Sequence, residues 1–86
     1  MNYVWAITHK WSDGMVSDFP RIHASVEGVY AYMDTFHKHM LIHPHSAARD
    51  EHNETTMIHC MYESPTMSGF EMGTCHVYGT RVVLRD

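Results

Sequence analysis

The chain has 86 residues, enough for a single small globular domain over residues 1–86 with a modest core. Hydrophobic residues make up 44% and charged residues 19%, a balance that favours a folded domain over a disordered chain. The net charge is −4 and basic residues form no cluster, so we expect no nucleic-acid binding. No apolar run is long enough to span a bilayer and no signal peptide is recognisable, so a cytoplasmic protein without membrane association is expected.

Alternating side chains predict a first β-strand over residues 2–11. Asp13-Gly14 is a tight-turn signal, so residues 15–19 could return as a short second strand. Pro20 would end that strand or confine it to a sheet edge. The side chains that would share one face of the first strand are Tyr3, Trp5, Ile7, His9 and Trp11.

A helix is predicted after Ser25, whose hydroxyl can accept hydrogen bonds from the first turn. From Val26 onward apolar residues recur at three- and four-residue steps, which predicts a helix to about residue 42 or 43. Pro44 disfavours helical conformation in the residue before it and should end the helix. The polar residues 44–54 predict a surface loop.

Two more strands are predicted at residues 55–62 and 73–85, joined by a turn-rich connection. The order predicts an α+β domain in which one helix packs on a small, largely antiparallel sheet, β-(β)-α-β-β.

The register of the last hairpin decides what its cysteines and histidines can do. With a loop symmetric about residues 67 and 68, Cys60 faces Cys75 and His59 faces His76. Neighbouring residues of a strand point to opposite faces, so the two pairs could not close one Cys2His2 zinc site. In this register the cysteines could form a disulfide, but in the cytosol they should stay reduced.

Residues 36–45 contain four of the nine histidines. On a helix, His39 and His43 share a face and could both bind one metal ion such as zinc, with His45 and His52 as further ligands from the loop. The spacing matches no zinc signature. A metal-binding or pH-responsive module is therefore an alternative, and we favour a solvated helix end in which imidazolium groups interact with the helix dipole.

No catalytic signature is present: the chain lacks GxGxxG, P-loop and GxSxG motifs. Ile22-His23-Ala24-Ser25 resembles one of the two motif copies of two-histidine phosphoesterases, but there is no second copy and Ser25 is better explained as a helix cap. So short an enzyme would need a pocket between subunits, and a small oligomeric enzyme is our third hypothesis.

Aromatic and methionine side chains are more numerous than one helix can cover on a small sheet. Since Trp, Tyr and Met are common at the centres of interfaces, we predict a larger protein partner, a second copy in a dimer, or both. The predicted contact residues are Trp5, Trp11, Met15 and Tyr32.

In length, methionine-rich composition and strand–helix–strand–strand layout, the chain resembles short phage-encoded proteins that inhibit host machinery, including anti-CRISPR and other anti-defence proteins. The resemblance covers the whole chain and includes no shared motif. It implies a non-catalytic inhibitor that acts in the host cytoplasm by covering the surface of a host protein or defence complex.

Overall fold

The computed structural model describes residues 2–36, 46–66, 69 and 71–85. The strands within these ranges form one antiparallel five-stranded sheet in the order β2-β1-β5-β4-β3, so the three long strands lie at its centre. One helix packs on this sheet, an α+β arrangement in which the sheet dominates. The elements in chain order are β1 (Tyr3–Trp11), β2 (Arg21–His23), α1 (Val26–Asp34), β3 (Ser46–Arg49), β4 (Thr55–Pro65) and β5 (Met72–Val83).

The two faces of the sheet have different surroundings. Gly79 of β5 faces the helix, because a Cβ built on it would lie 2.6 Å from Cγ1 of Val29. We call this the helix-side face, and we call the opposite one the open face because no element within the described ranges packs on it. The fully buried side chains of the helix-side face and of α1 form the core: Trp5, Ile7, Val29, Met33, Ile58, Cys60, Cys75 and Val77.

The helix begins where the sequence predicts and ends earlier. Ser25 is the N-cap, and its Oγ accepts a hydrogen bond from the backbone N–H of Gly28 at 3.3 Å. The C-cap is Thr35, whose hydroxyl donates to the carbonyl of Tyr32 at 2.6 Å and whose N–H bonds to the same carbonyl. The predicted end at residue 42 or 43 is therefore wrong for α1. The rest of the predicted stripe lies in residues 37–45, outside the described ranges.

Both edge strands differ from the prediction. Residues 15–19 form only a single bridge, between Val16 and Lys10, and β2 begins after Pro20, which has no N–H to give to a sheet. The predicted loop at 44–54 contains β3, which pairs with β4. A tight turn joins these strands, and in it Asp50 Oδ1 accepts hydrogen bonds from the N–H groups of His52 and Glu54.

The register of the β4–β5 hairpin is shifted by two residues from the symmetric prediction. Cys60 lies opposite Val77, and His59 lies opposite Tyr78. An even shift keeps every side chain on its predicted face, so the cysteines and the pair His59 and His76 do lie on opposite faces. The cysteines are no longer directly opposed, however, and both are free thiols. The pairing that would have allowed a disulfide is therefore wrong.

Candidate functional site

On the helix-side face, His9 connects a thiol to a phenol. Its Nε2 lies 2.9 Å from Oη of Tyr32, and its Nδ1 lies 3.6 Å from Sγ of Cys75. β1 and β5 place the imidazole and the thiol on neighbouring strands, and α1 supplies the phenol. The aromatic rings around the imidazole are those of Trp11, Tyr32, Phe36 and Tyr62.

The chemistry of this network argues against a nucleophile. Burial lowers the pKa of His9, so its imidazole is neutral at pH 7. Burial also raises the pKa of Cys75 and raises that of Cys60 to about 11. A reactive cysteine needs an accessible thiolate, and both side chains are fully buried. We interpret the network as a structural link between α1 and the sheet.

Burial of both cysteines predicts slow modification by a thiol reagent at neutral pH. In the native protein we expect labelling roughly a thousandfold slower than in denatured chain, because it requires opening of the sheet at a cost of several kcal/mol. Mass spectrometry of a labelling time course measures this rate. An added cysteine in Phe19→Cys, a position 86% exposed, is the control and should react at once. Rapid native labelling of Cys60 or Cys75 would contradict the prediction.

The predicted contact residues do not form one exposed surface. Trp5 is only 2% exposed and belongs to the core, so the structure corrects its assignment as a surface contact. Trp11 packs against the core and stacks on the ring of His9. The ring face of Tyr32 is occupied by the guanidinium of Arg21, 4.6 Å from its centroid. Only Met15, in the β1–β2 connection, is largely exposed.

The predicted metal ligands are mostly beyond what the structure describes. His39, His43 and His45 lie in residues 37–45, outside the described ranges. His52 is exposed in the β3–β4 turn, with Nε2 3.5 Å from Glu51. Among the described residues, no group of three or more His, Cys, Asp or Glu side chains is arranged to hold a metal ion. Metal binding at these histidines stays a prediction.

A cleft of about 540 Å3 lies beside the start of α1, where the ends of β1 and β5 meet. Its ionisable side chains are Tyr3 and Glu27, which do not form an acid–base pair with any other lining group. The cleft therefore offers no recognisable catalytic arrangement.

The open face carries a hydrogen-bonded pair of histidines at its centre. Nε2 of His59 and Nδ1 of His76 are 2.8 Å apart, and the rings are tilted by only 5° with centroids 5.0 Å apart. That separation fits a linear N–H···N bond between coplanar rings. Tyr78 stacks on His59 at 4.7 Å, so three rings from β4 and β5 form one ordered group. Burial, followed by the neighbouring His76, lowers the pKa of His59.

Around this group the open face is arranged in rows across β1, β5 and β4. The three central strands place only two formally charged side chains on it, Lys10 and Glu63. The exposed face of an antiparallel sheet is usually polar, and on this one threonine, tyrosine, histidine and methionine side chains take the place of most formal charges. The three complete rows are Ala6–Thr80–Met57, Thr8–Tyr78–His59 and Lys10–His76–Met61.

An apolar corner continues the open face toward β2. Val4 pairs with Val82 and Ala6 pairs with Ile22, and the side chains of Ile22 and Val82 are about half exposed. We missed this surface in the sequence because alternation makes both faces of β1 rich in apolar residues. The available signal was the Met57, His59, Met61 series, which places large side chains on the face opposite Ile58 and Cys60.

No family model matches this chain, and no curated protein or solved structure matches it either. No described helix has the length and apolar character needed to cross a membrane. The open face, with its histidine pair, is therefore identified as the candidate site from its geometry alone.

Proposed function

We propose that this chain is a non-catalytic protein-binding module and that the open face is its binding surface. The observation that carries the proposal is the small number of formal charges on a face rich in aromatic, histidine and methionine side chains that no described element covers. Interface centres are depleted in charged residues and enriched in Tyr and Met. The open face has this composition, whereas most charged side chains lie on its edges, turns and helix.

The geometry supports binding by surface coverage. The three rings of His59, His76 and Tyr78 are already held by hydrogen bonding and stacking, so little side-chain freedom is lost when a partner covers them. If the covered surface belongs to a host protein, the chain would act as an inhibitor of the phage-encoded kind. This form of the proposal is supported by the length of the chain and by the order of its strands and helix.

Site-specific photo-crosslinking tests the binding surface. A photoreactive phenylalanine analogue replaces Tyr78, at the centre of the open face, in cells that naturally produce the chain. The matched control replaces Phe19, which is 86% exposed in the β1–β2 connection. We expect a discrete crosslinked polypeptide from position 78 and none from position 19, with the crosslinked peptides identified by mass spectrometry.

A charge placed on the same face provides the second measurement. Thr8 is exposed and central, so Thr8→Glu should preserve the fold and abolish the crosslink from position 78. An unchanged thermal melt establishes that the fold is intact. If position 78 gives no crosslink, or if Thr8→Glu leaves the crosslink unaltered, the open face is not the binding surface.

A further inference from the structure

We infer that the occupant of the open face is a second copy of this chain, packed face to face about a two-fold axis parallel to β5. The inference rests on the proposed function and specifies its partner. In such a dimer β5 lies over its own copy, and β1 of each protomer lies over β4 of the other. Two stacked antiparallel sheets with nearly aligned strands form the ordinary β-sandwich arrangement, about 10 Å thick.

Side-chain size is complementary between β1 and β4 in two of the three rows. On β1 the open face presents the small residues Ala6 and Thr8, and on β4 the same rows present Met57 and His59. The axis exchanges these strands, so Met57 lies over Ala6 and His59 lies over Thr8, while Tyr78 and His76 of β5 lie over their own copies. Packed layers are formed by this alternation of large and small residues across facing positions.

The histidine pair also suits this arrangement. His59 uses Nε2 in its bond to His76, and its Nδ1 has no hydrogen-bond partner within the described ranges. Thr8 occupies the row of His59 on the other side of β5, so the axis brings its hydroxyl over that imidazole. A hydroxyl can either donate or accept, and it therefore satisfies the ring nitrogen in either tautomer.

Charge is self-complementary about the same axis. Lys10 lies on β1 in the row of His76, and Glu63 lies on β4 in the next row, opposite Thr74. Exchange of β1 and β4 brings each Lys10 within about one row, roughly 7 Å along the strand, of the Glu63 of the other protomer. The two formal charges of the central strands would therefore form two intermolecular pairs at one end of the interface.

The alternative two-fold axis, across the strands, lacks both features. It places β4 over β4 and β1 over β1, so the large residues Met57 and His59 meet large residues and a gap is left over Ala6. It also leaves Lys10 over β1 and Glu63 over β4 of the other protomer, so the two charges do not pair. The positions of Lys10 and Glu63 therefore favour the axis parallel to β5.

The open face is large enough for a dimer. Five strands at ~4.8 Å spacing and rows at ~3.3 Å per residue give a face of roughly 600 Å2 per copy. Two copies together would bury roughly 1,200 Å2, which is the lower end of the range for specific interfaces.

Charge exchange between protomers tests this dimer. Lys10→Glu and Glu63→Lys each create two like-charge pairs in a homodimer, whereas an equimolar mixture restores two opposite-charge pairs in a heterodimer. By sedimentation equilibrium we expect the 10.0 kDa wild-type chain to dimerise. Each single variant should associate roughly tenfold more weakly or worse, and the mixture should recover wild-type affinity within about threefold. Glu51→Lys, the same charge change in the exposed β3–β4 turn, is the matched control and should dimerise normally.

Each other outcome overturns the inference in a distinguishable way. A monomeric wild-type chain that gives a foreign crosslink from position 78 keeps the binding surface and removes the second copy. Dimerisation that neither single variant weakens would place the interface elsewhere on the chain. Failure of the mixture to recover would rule out the axis parallel to β5. Circular dichroism of the exposed-site variants verifies that each one folds.

Discussion

Replacing Gly79 with alanine is expected to lower the free energy of unfolding by about 1–3 kcal/mol, the usual cost of overpacking a core. Alanine in a strand interior would otherwise be favoured over glycine by roughly 0.5–1 kcal/mol. The sign is reversed here because the new Cβ would lie 2.6 Å from Cγ1 of Val29, and Met33 is close behind at 3.5 Å. The helix would have to move away from the sheet to admit one methyl group.

A double-mutant cycle in urea isolates this contact. Val29→Ala alone should destabilise the protein by leaving a cavity, and in Gly79→Ala/Val29→Ala the added methyl group should partly fill it. The double variant should therefore be less destabilised than the two single variants would be if their effects were additive, by an interaction energy of about 0.5–3 kcal/mol. If the two changes in the free energy of unfolding were strictly additive, Val29 and position 79 would not be in contact.

The three long strands could be predicted because each one shows strand-like residues over many positions. β1, β4 and β5 lie within a few residues of the predicted limits, and Ser25 caps α1 as expected. The edge strands β2 and β3 have only three and four residues, too few for alternation to be visible. β3 was also not predicted because the residues around it are polar. Its pairing with β4 depends on the turn at Asp50, and a polar sequence alone does not distinguish such a turn from a longer loop.

The candidate site could be predicted only in part. Alternation separates β1 into two faces, but it does not say which of them the helix covers. The structure shows that α1 covers the face of Trp5, so Trp5 lies in the core and Trp11 and Tyr32 pack against it, partly buried. The predicted hairpin register was wrong by two residues, because the register depends on the geometry of the loop. His59 therefore lies opposite Tyr78 and not opposite His76, but it stays on the predicted face of the sheet.

Stability is expected to fall as the pH is lowered through about 6.5, where an unfolded histidine is half protonated. The pKa of His9 is lowered by burial, and that of His59 is lowered by burial and then by His76. Well above pH ~6.5 both imidazoles are neutral in either state, so their contribution to stability is complete. Below it the unfolded chain binds protons that the native chain does not, and stability is lost as the pH falls toward the native pKa values.

The slope of the free energy of unfolding between pH 6.5 and 5 measures this effect, with at most about 1.4 kcal/mol per pH unit from each histidine. His9→Gln and His59→Gln should each flatten the slope, although both variants lose contacts. His52→Gln, in the exposed β3–β4 turn, is the matched control for the loss of one histidine. Stopping at pH 5 avoids carboxyl groups such as Asp50, whose pKa is held below its usual value by the backbone N–H of Glu54 and by Arg81. A wild-type slope in both His9→Gln and His59→Gln would mean that neither imidazole resists protonation in the fold, and the neutral N–H···N pair on the open face would then lose its basis.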